Sequence, residues 1–149
     1  MNELLIPALI LLLIYAASAG LFLFLRRRRE EPELLEFDGQ EGHDFEYYCA
    51  DLLRRNGFSA VEVTRGSGDF GADILAEKDD VTYAVQCKNY SGPVGVSAVQ
   101  EIAAGRDYYD RMVGVVMTNQ FFTVPAKKAA GKLKIILWDR DRLQEMMEF

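Results

Sequence analysis

From Leu4 to Leu25 the chain carries no charged side chain, and the run stops at Arg26-Arg27-Arg28-Arg29. At about 1.5 Å of rise per residue, such a stretch is long enough to cross a hydrocarbon core of about 30 Å as a helix. Ala17-Ser18-Ala19 looks like a signal-peptidase site, yet the leader Met1-Asn2-Glu3 has no positive side chain. The apolar run also continues past that point through Leu21-Phe22-Leu23-Phe24-Leu25. These features predict an uncleaved transmembrane helix over residues 4–25, with Pro7 in its first turns, where a missing N–H costs least. Arginines directly after a helix stay on the cytoplasmic side, so the expected topology is a single pass through the inner (cytoplasmic) membrane, N-terminus outside and the remainder inside. A processed periplasmic protein is the disfavoured alternative. Residues 26–40 read as a basic stop followed by an acidic linker broken by Pro32, and residues 41–149 as one domain.

Within that domain the apolar period alternates between helix and strand values. Phe45, Cys49, Leu52 and Leu53 recur at helical spacing up to the stop signal Asn56-Gly57, which predicts a helix over about 43–56. Phe58 to Thr64 reads as a strand and Arg65 to Gly71 as a glycine-rich loop. Ala72 to Glu77 and Val81 to Lys88 form two strands of a hairpin around a turn at Lys78-Asp79-Asp80. A helix over Val96 to Tyr109 and a strand ending at Thr118 follow, with Val113-Gly114-Val115-Val116-Met117 as apolar as a strand buried on both faces. The remainder reads as a helix over Phe122 to Gly131, a strand over Lys132 to Trp138 and a helix over Asp139 to Met147. The order αβββαβαβα, a hairpin followed by βαβ crossovers, predicts an α/β three-layer domain with a mixed central sheet flanked by helices.

Charge narrows the function. The 149 residues carry 17 Lys and Arg against 23 Asp and Glu. Residues 1–29 hold four Arg and one Glu, which leaves 13 basic and 22 acidic side chains, or −9, on the rest. A general polybasic nucleic-acid binder is excluded, because its affinity would rest on many Lys and Arg neutralising phosphates. Any polyanion site must be local. Cys49 and Cys87 are the only cysteines and His43 the only histidine, so disulfide scaffolds, zinc sites and histidine triads are not supported.

One cluster of polar residues needs a reason. Asp73 starts a strand otherwise made of Ile74, Leu75 and Ala76, and Lys88 ends one containing Val85 and Cys87, with Gln86 on the same face as Lys88 by period two. Burying charge is costly unless it is paired or ligates a metal. A structural Asp73–Lys88 ion pair accounts for these residues as well as catalysis does. The same set, however, meets the needs of phosphodiester hydrolysis: hard oxygen ligands for Mg²⁺ and an ammonium to offset charge growing on the phosphate. Glu46, one residue after Phe45 on the first helix, offers a second carboxylate. Convergence requires Asp73 to share a face with Gln86 and Lys88. A four-residue hairpin loop or a bulge satisfies this, whereas a three-residue loop would set Asp73 opposite Val85.

Gly42-His43-Asp44-Phe45-Glu46, then Thr64 through Asp73, then Val85-Gln86-Cys87-Lys88-Asn89-Tyr90, and later Val116-Met117-Thr118-Asn119 with Phe122-Thr123 and Ala126, together resemble the Mrr-type restriction endonuclease domain of the PD-(D/E)XK superfamily. The resemblance spans about residues 39–147. It implies the restriction-endonuclease-like fold and DNA as the partner. It also implies a divalent cofactor, Mg²⁺ or Mn²⁺, with no small-molecule cofactor. Asp73 would be the metal ligand, Gln86 would stand in the place of the usual second acidic ligand, and Lys88 would be the catalytic lysine. Glu46 would be an additional ligand. Because an amide binds metal more weakly than a carboxylate, Glu46 and the Cys87 backbone carbonyl should carry more of the coordination.

The expected function is a membrane-anchored, metal-dependent, type IV restriction-like endodeoxyribonuclease acting on foreign DNA. The alternative is a non-catalytic, membrane-tethered DNA-binding or scaffold module that keeps the nuclease fold. Double-strand cutting by so small a domain needs a homodimer or sequential nicks. Arg65, Lys127 and Lys128, with Arg106, Lys132 and Lys134, are the best local phosphate contacts. Asp69 is expected to serve the glycine-rich turn. His43 is expected to be an exposed helix-start residue, and Cys49 and Cys87 to be buried thiols without a redox role. Gln100 and Glu101 on the following helix could support the site from behind, with a solvated helix face as the preferred reading.

Overall fold

The computed structural model of the protein describes residues 42–64 and 70–148. The expected membrane helix over 4–25, the linker over 26–40 and the loop residues Arg65 and Asp69 lie outside the described residues. Among the described residues no helix is long and apolar enough to cross a membrane.

The elements follow the expected order. Helix α1 (Gly42–Arg55) buries Phe45, Cys49, Ala50, Leu52 and Leu53, with Asp44 in its first turn and Arg54 and Arg55 in its last, as the helix dipole favours. It ends at Gly57, whose φ of 82° suits a residue without Cβ. There the N–H groups of Gly57 and Phe58 donate back to Arg54 O and Leu53 O, both at 3.1 Å. Strands β1 (Ser59–Val63), β2 (Ile74–Lys78) and β3 (Val81–Lys88) come next, then α2 (Val96–Tyr108), β4 (Val113–Thr118), α3 (Val124–Leu133), β5 (Ile135–Trp138) and α4 (Arg140–Met147).

The five strands lie side by side in chain order. β1, β2 and β3 are antiparallel, while β3, β4 and β5 are parallel, which makes the expected mixed sheet. Period two sorts the side chains of β3 between two layers. Ala84 joins Leu75 and Val116 in a core closed by Ala98, Val99 and Ile102 of α2 and Ala126 and Ala130 of α3. Cys87 points the other way and hydrogen-bonds Cys49 of α1. The end of α1 is tied to α4 on that second face, where Asn56 Nδ2 donates to both Leu52 O and Met146 O at 2.9 Å.

Element ends differ from the sequence reading where caps decide them. The third helix begins at Val124 because Thr123 accepts from Ala126 N–H, and it runs on to Leu133. Lys134, expected in a strand, instead closes that helix in the left-handed region, so β5 starts only at Ile135. Asp139 caps α4 rather than belonging to it.

The hairpin matters most. Lys78 pairs with Val81 and Ile74 with Val85, so β2 and β3 are joined by the two residues Asp79 and Asp80. Both have positive φ, 52° and 62°, the requirement of the tight turn whose twist matches the strands. This is neither of the loop lengths considered from the sequence, but it shares the parity of the four-residue loop. One step beyond the Ile74–Val85 pair, Asp73 therefore stands against Gln86. The ladder is already irregular there, since Asp73 N–H donates to Val85 O at 2.8 Å, offset by one residue from the pairing of the strands.

Left-handed backbone costs a non-glycine residue about 1–2 kcal/mol, less for aspartate. Replacing Asp80→Gly should therefore stabilise the domain by up to about 1 kcal/mol. A thermal melt should show a raised midpoint, and a lowered one would refute this account of the hairpin turn.

Candidate active site

Asp73 is a carboxylate only 5% exposed, at the mouth of the β2–β3 hairpin. Its Oδ2 accepts from Gln86 Nε2 and, at 2.6 Å, from the Cys87 backbone N–H. A carboxylate can only accept, so the Gln86 amide must turn its NH₂ toward Asp73 and its oxygen away. That oxygen, Gln86 Oε1, is buried and has no hydrogen-bond partner. Buried polar atoms are nearly always satisfied, which makes an orphaned amide oxygen beside a carboxylate a specific invitation to a hard cation.

Lys88 lies two residues along the same face of β3. Its Nζ is 2.7 Å from Glu101 Oε2 on α2. Burial pulls the ammonium's pKa down, but the hydrogen bond and charge of Glu101, helped by Tyr90 and Asp73, overcome this and raise it above the usual lysine value. Lys88 is therefore a cation, not a base, across the neutral range. Glu101 is exposed, as expected of a solvated face, and is also the partner of Lys88. Period and spacing within α2 could not show this, because the pairing depends on how closely α2 approaches β3.

Two glycines set that approach. A Cβ on Gly105 of α2 would lie 2.7 Å from both the carbonyl carbon and oxygen of Gly71, and one on Gly71 would lie 2.3 Å from Glu101 O. Gly71 also has a φ of 90°. The backbone leading into Asp73 is thus pressed directly onto the helix that carries Glu101.

Glu46 sits toward the other face. It is 18% exposed and bonded to His43 Nδ1 at 2.8 Å, so the exposed His43 has a partner at the helix start. Within the second layer, the hydrogen bond to Cys49 and burial hold the Cys87 thiol well above its ordinary pKa, and the charges of Cys49, Asp73 and Glu46 add to this. Asp73 and Glu46 thus both act on Cys87. Among the described residues no three His, Cys, Asp or Glu side chains form a ready metal cage. The available donors are the Asp73 carboxylate, Gln86 Oε1, the Cys87 carbonyl and, from α1, Glu46.

The loop after Lys88 is held from behind. Thr118 Oγ1 donates to Lys88 O at 2.7 Å. Asn119 clamps Tyr90 at both ends of its peptide unit, accepting from its N–H at 2.9 Å and donating to its O at 3.0 Å. The buried Arg140 in turn donates to Asn119 O at 3.0 Å. This support was missed in the sequence, where Asn119 carried no recognisable pattern beyond its place in a motif. The Tyr90 ring is left 47% exposed beside the site. Phe70, at the end of the glycine-rich loop, stacks on Tyr108 with centroids 3.9 Å apart. Of the basic residues suggested as phosphate contacts, Lys127 and Lys128 are exposed on α3, and Arg106 is bonded to Asp107 and to Leu133 O, while Arg65 lies outside the described residues.

The Lys88–Glu101 pair makes a prediction about pH. A lysine whose folded pKa is raised contributes stability that is complete below its unfolded value of about 10.4 and lost as pH rises through the folded one. Both groups are partly exposed, so the stability gap between wild type and Glu101→Ala should be at most about 1 kcal/mol. In urea melts it should be constant from pH 7 to 9 and close above about pH 10.4. A gap that widened with alkalinity would be the wrong sign.

Comparison with known proteins places this geometry. A restriction endonuclease family, Mrr_cat, matches residues 37–147. No curated protein matches the chain. Among solved structures, the protein of unknown function AF1548 superposes with a TM-score of 0.56 at 22% identity, over 72% of this chain and 67% of its own. The DNA modification-dependent restriction endonuclease AspBHI does so at 0.54 and 20% identity, over 82% and 32%. The MspJI restriction endonuclease in complex with a 27-mer oligonucleotide follows at 0.54 and 18%, over 88% and 30%. The chain spans about a third of the length of those two endonucleases, and at such identities the likeness shows the fold. The match over residues 37–147 shows the family: the chain belongs to the Mrr-type restriction endonucleases.

Proposed function

We propose that this domain is a divalent-metal-dependent endodeoxyribonuclease, restriction-like in role, that hydrolyses DNA phosphodiesters. The observation that carries the reading is the buried, unsatisfied Gln86 Oε1 beside the buried Asp73 carboxylate, two residues from a charged lysine. A structural ion pair at a sheet end would join Asp73 to Lys88. Such a pair would not account for the whole arrangement: Lys88 is bonded to Glu101, and Asp73 to Gln86 and the Cys87 N–H. That the two structurally similar endonucleases act on modified DNA or hold an oligonucleotide makes DNA the substrate to test first.

Asp73, Gln86 Oε1, the Cys87 carbonyl and Glu46 would hold Mg²⁺ or Mn²⁺. Such a cation supplies a Lewis acid for the phosphate oxygen and lowers the pKa of bound water. The chain's own groups do the rest. Asp73 keeps the Gln86 amide oriented, because the only arrangement that satisfies its NH₂ leaves the oxygen facing the site. Lys88, held charged, orients the attacking water and offsets the negative charge that builds on the phosphate. Lys88, paired with Glu101, would act toward the phosphate as an ammonium rather than as a base.

The apolar run over residues 4–25 and the arginines after it support the further proposal of a single-pass protein of the inner (cytoplasmic) membrane, with the nuclease domain in the cytoplasm. Cleaving both strands would call for a homodimer or two successive nicks.

The test is incubation of the purified protein with supercoiled plasmid in the presence of Mg²⁺, Mn²⁺ or EDTA. Cleavage should need the metal, and Lys88→Ala or Asp73→Ala should lower it by at least about 100-fold. Full metal-dependent cutting by Lys88→Ala would contradict the mechanism. Removal of residues 1–29 should leave cleavage in the test tube unchanged while abolishing the effect on incoming DNA in cells, and equal protection by the truncated protein would contradict membrane action.

A further inference from the structure

We infer that Glu101 is a positioning residue for the reaction: it holds the Lys88 ammonium at the place where the scissile phosphate must lie, and the Gly71–Gly105 contact is what brings it there. The inference rests on the nuclease reading and adds to it a residue outside the Asp73, Gln86, Lys88 and Glu46 set.

Three observations carry it. First, the pair is direct, Nζ to Oε2 at 2.7 Å, with the lysine side chain only 17% exposed. A lysine has four rotatable bonds, and holding its terminus in one place requires a fixed partner. Glu101 is such a partner. Second, the partner is fixed at its own root. The Glu101 carbonyl lies against Gly71, where a Cβ would come within 2.3 Å, and Gly105, one turn on, lies against the same peptide. Glu101 and Asp73 are thereby referenced to one rigid seam of backbone, so the ammonium and the carboxylate keep a constant separation. Third, the arrangement is unfavourable for a mere DNA-binding surface. A carboxylate 44% exposed next to the Lys88 ammonium would repel a phosphate bound there, a cost that the placement of Lys88 would offset.

This last point separates positioning from a bland surface charge. If Glu101 were only a nearby anion, its removal would tighten DNA binding and leave turnover alone. If it positions Lys88, its removal lowers kcat while KM for DNA stays level or falls. Misplacing a reacting group by about 1 Å costs about 100-fold, so Glu101→Ala should lose about that factor in kcat. Glu101→Gln, which keeps an oxygen to accept from the ammonium, should recover part of it.

The experiment is therefore steady-state cleavage of plasmid by the full chain and the two variants, beside an ¹⁵N spectrum of the lysine ammonium groups without metal or DNA. A Lys88 ammonium held by Glu101 exchanges slowly and gives a resolved signal, which Glu101→Ala should remove. Gly105→Ala, which must push α2 off Gly71, should weaken both readouts in the same direction. Unchanged kcat with lower KM in Glu101→Ala would overturn the inference, as would a Lys88 signal that survives the substitution. Should the wild-type protein cut no DNA under any metal, the nuclease reading falls, while the ammonium spectrum still decides whether Glu101 holds Lys88.

Discussion

The bond between the Asp73 carboxylate and the Gln86 amide is the constraint on which the rest of this site depends. A buried carboxylate is expensive to desolvate, and this one is compensated by two donors on the neighbouring strand. Because one of those donors is an amide NH₂, the companion oxygen is driven to face the other way, without a partner. The polar chemistry therefore follows from a pairing decided by the hairpin turn. If β3 slipped by one residue against β2, Val85 would stand where Gln86 does, and the carboxylate would face an aliphatic side chain.

Much of this was legible along the chain. The alternation of helical and two-residue periods located every described element, and the mixed sheet followed from a hairpin followed by crossovers. The candidate residues Asp73, Gln86 and Lys88 stood out because polar groups at the ends of apolar strands are conspicuous. The element boundaries were not. Thr123 and Asp139 act as caps, and Lys134 takes a left-handed conformation, so helices and strands begin and end on hydrogen bonds that periodicity does not register. The turn was read at Lys78-Asp79-Asp80, but its two-residue length was not: two successive aspartates with positive φ replace the Asn-Gly that would have announced it.

The residue least legible in its role was Glu101, open to a supporting part but preferred as a solvated surface acid. On its helix it looks like any exposed acid, and its meaning arises only from contact with β3 across a backbone seam made possible by Gly71 and Gly105. Such contacts join residues distant in sequence through atoms that side-chain patterns do not describe. Glu46 shows the converse. It was identified as a candidate ligand, and its described hydrogen-bond partner is His43, while its charge is felt at Cys87 on the opposite layer from Lys88. The two carboxylates thus differ in kind: Glu101 is bonded to the lysine, and Glu46 to His43.

The central claim is that the Gln86 amide oxygen and the Asp73 carboxylate together receive a divalent cation. It is tested most directly by anomalous diffraction from crystals of the protein soaked in Mn²⁺. The account expects a manganese peak about 2.0–2.3 Å from both Gln86 Oε1 and an Asp73 oxygen. A manganese ion bound elsewhere in a protein that cleaves DNA, with the Gln86 oxygen still unengaged, would contradict it.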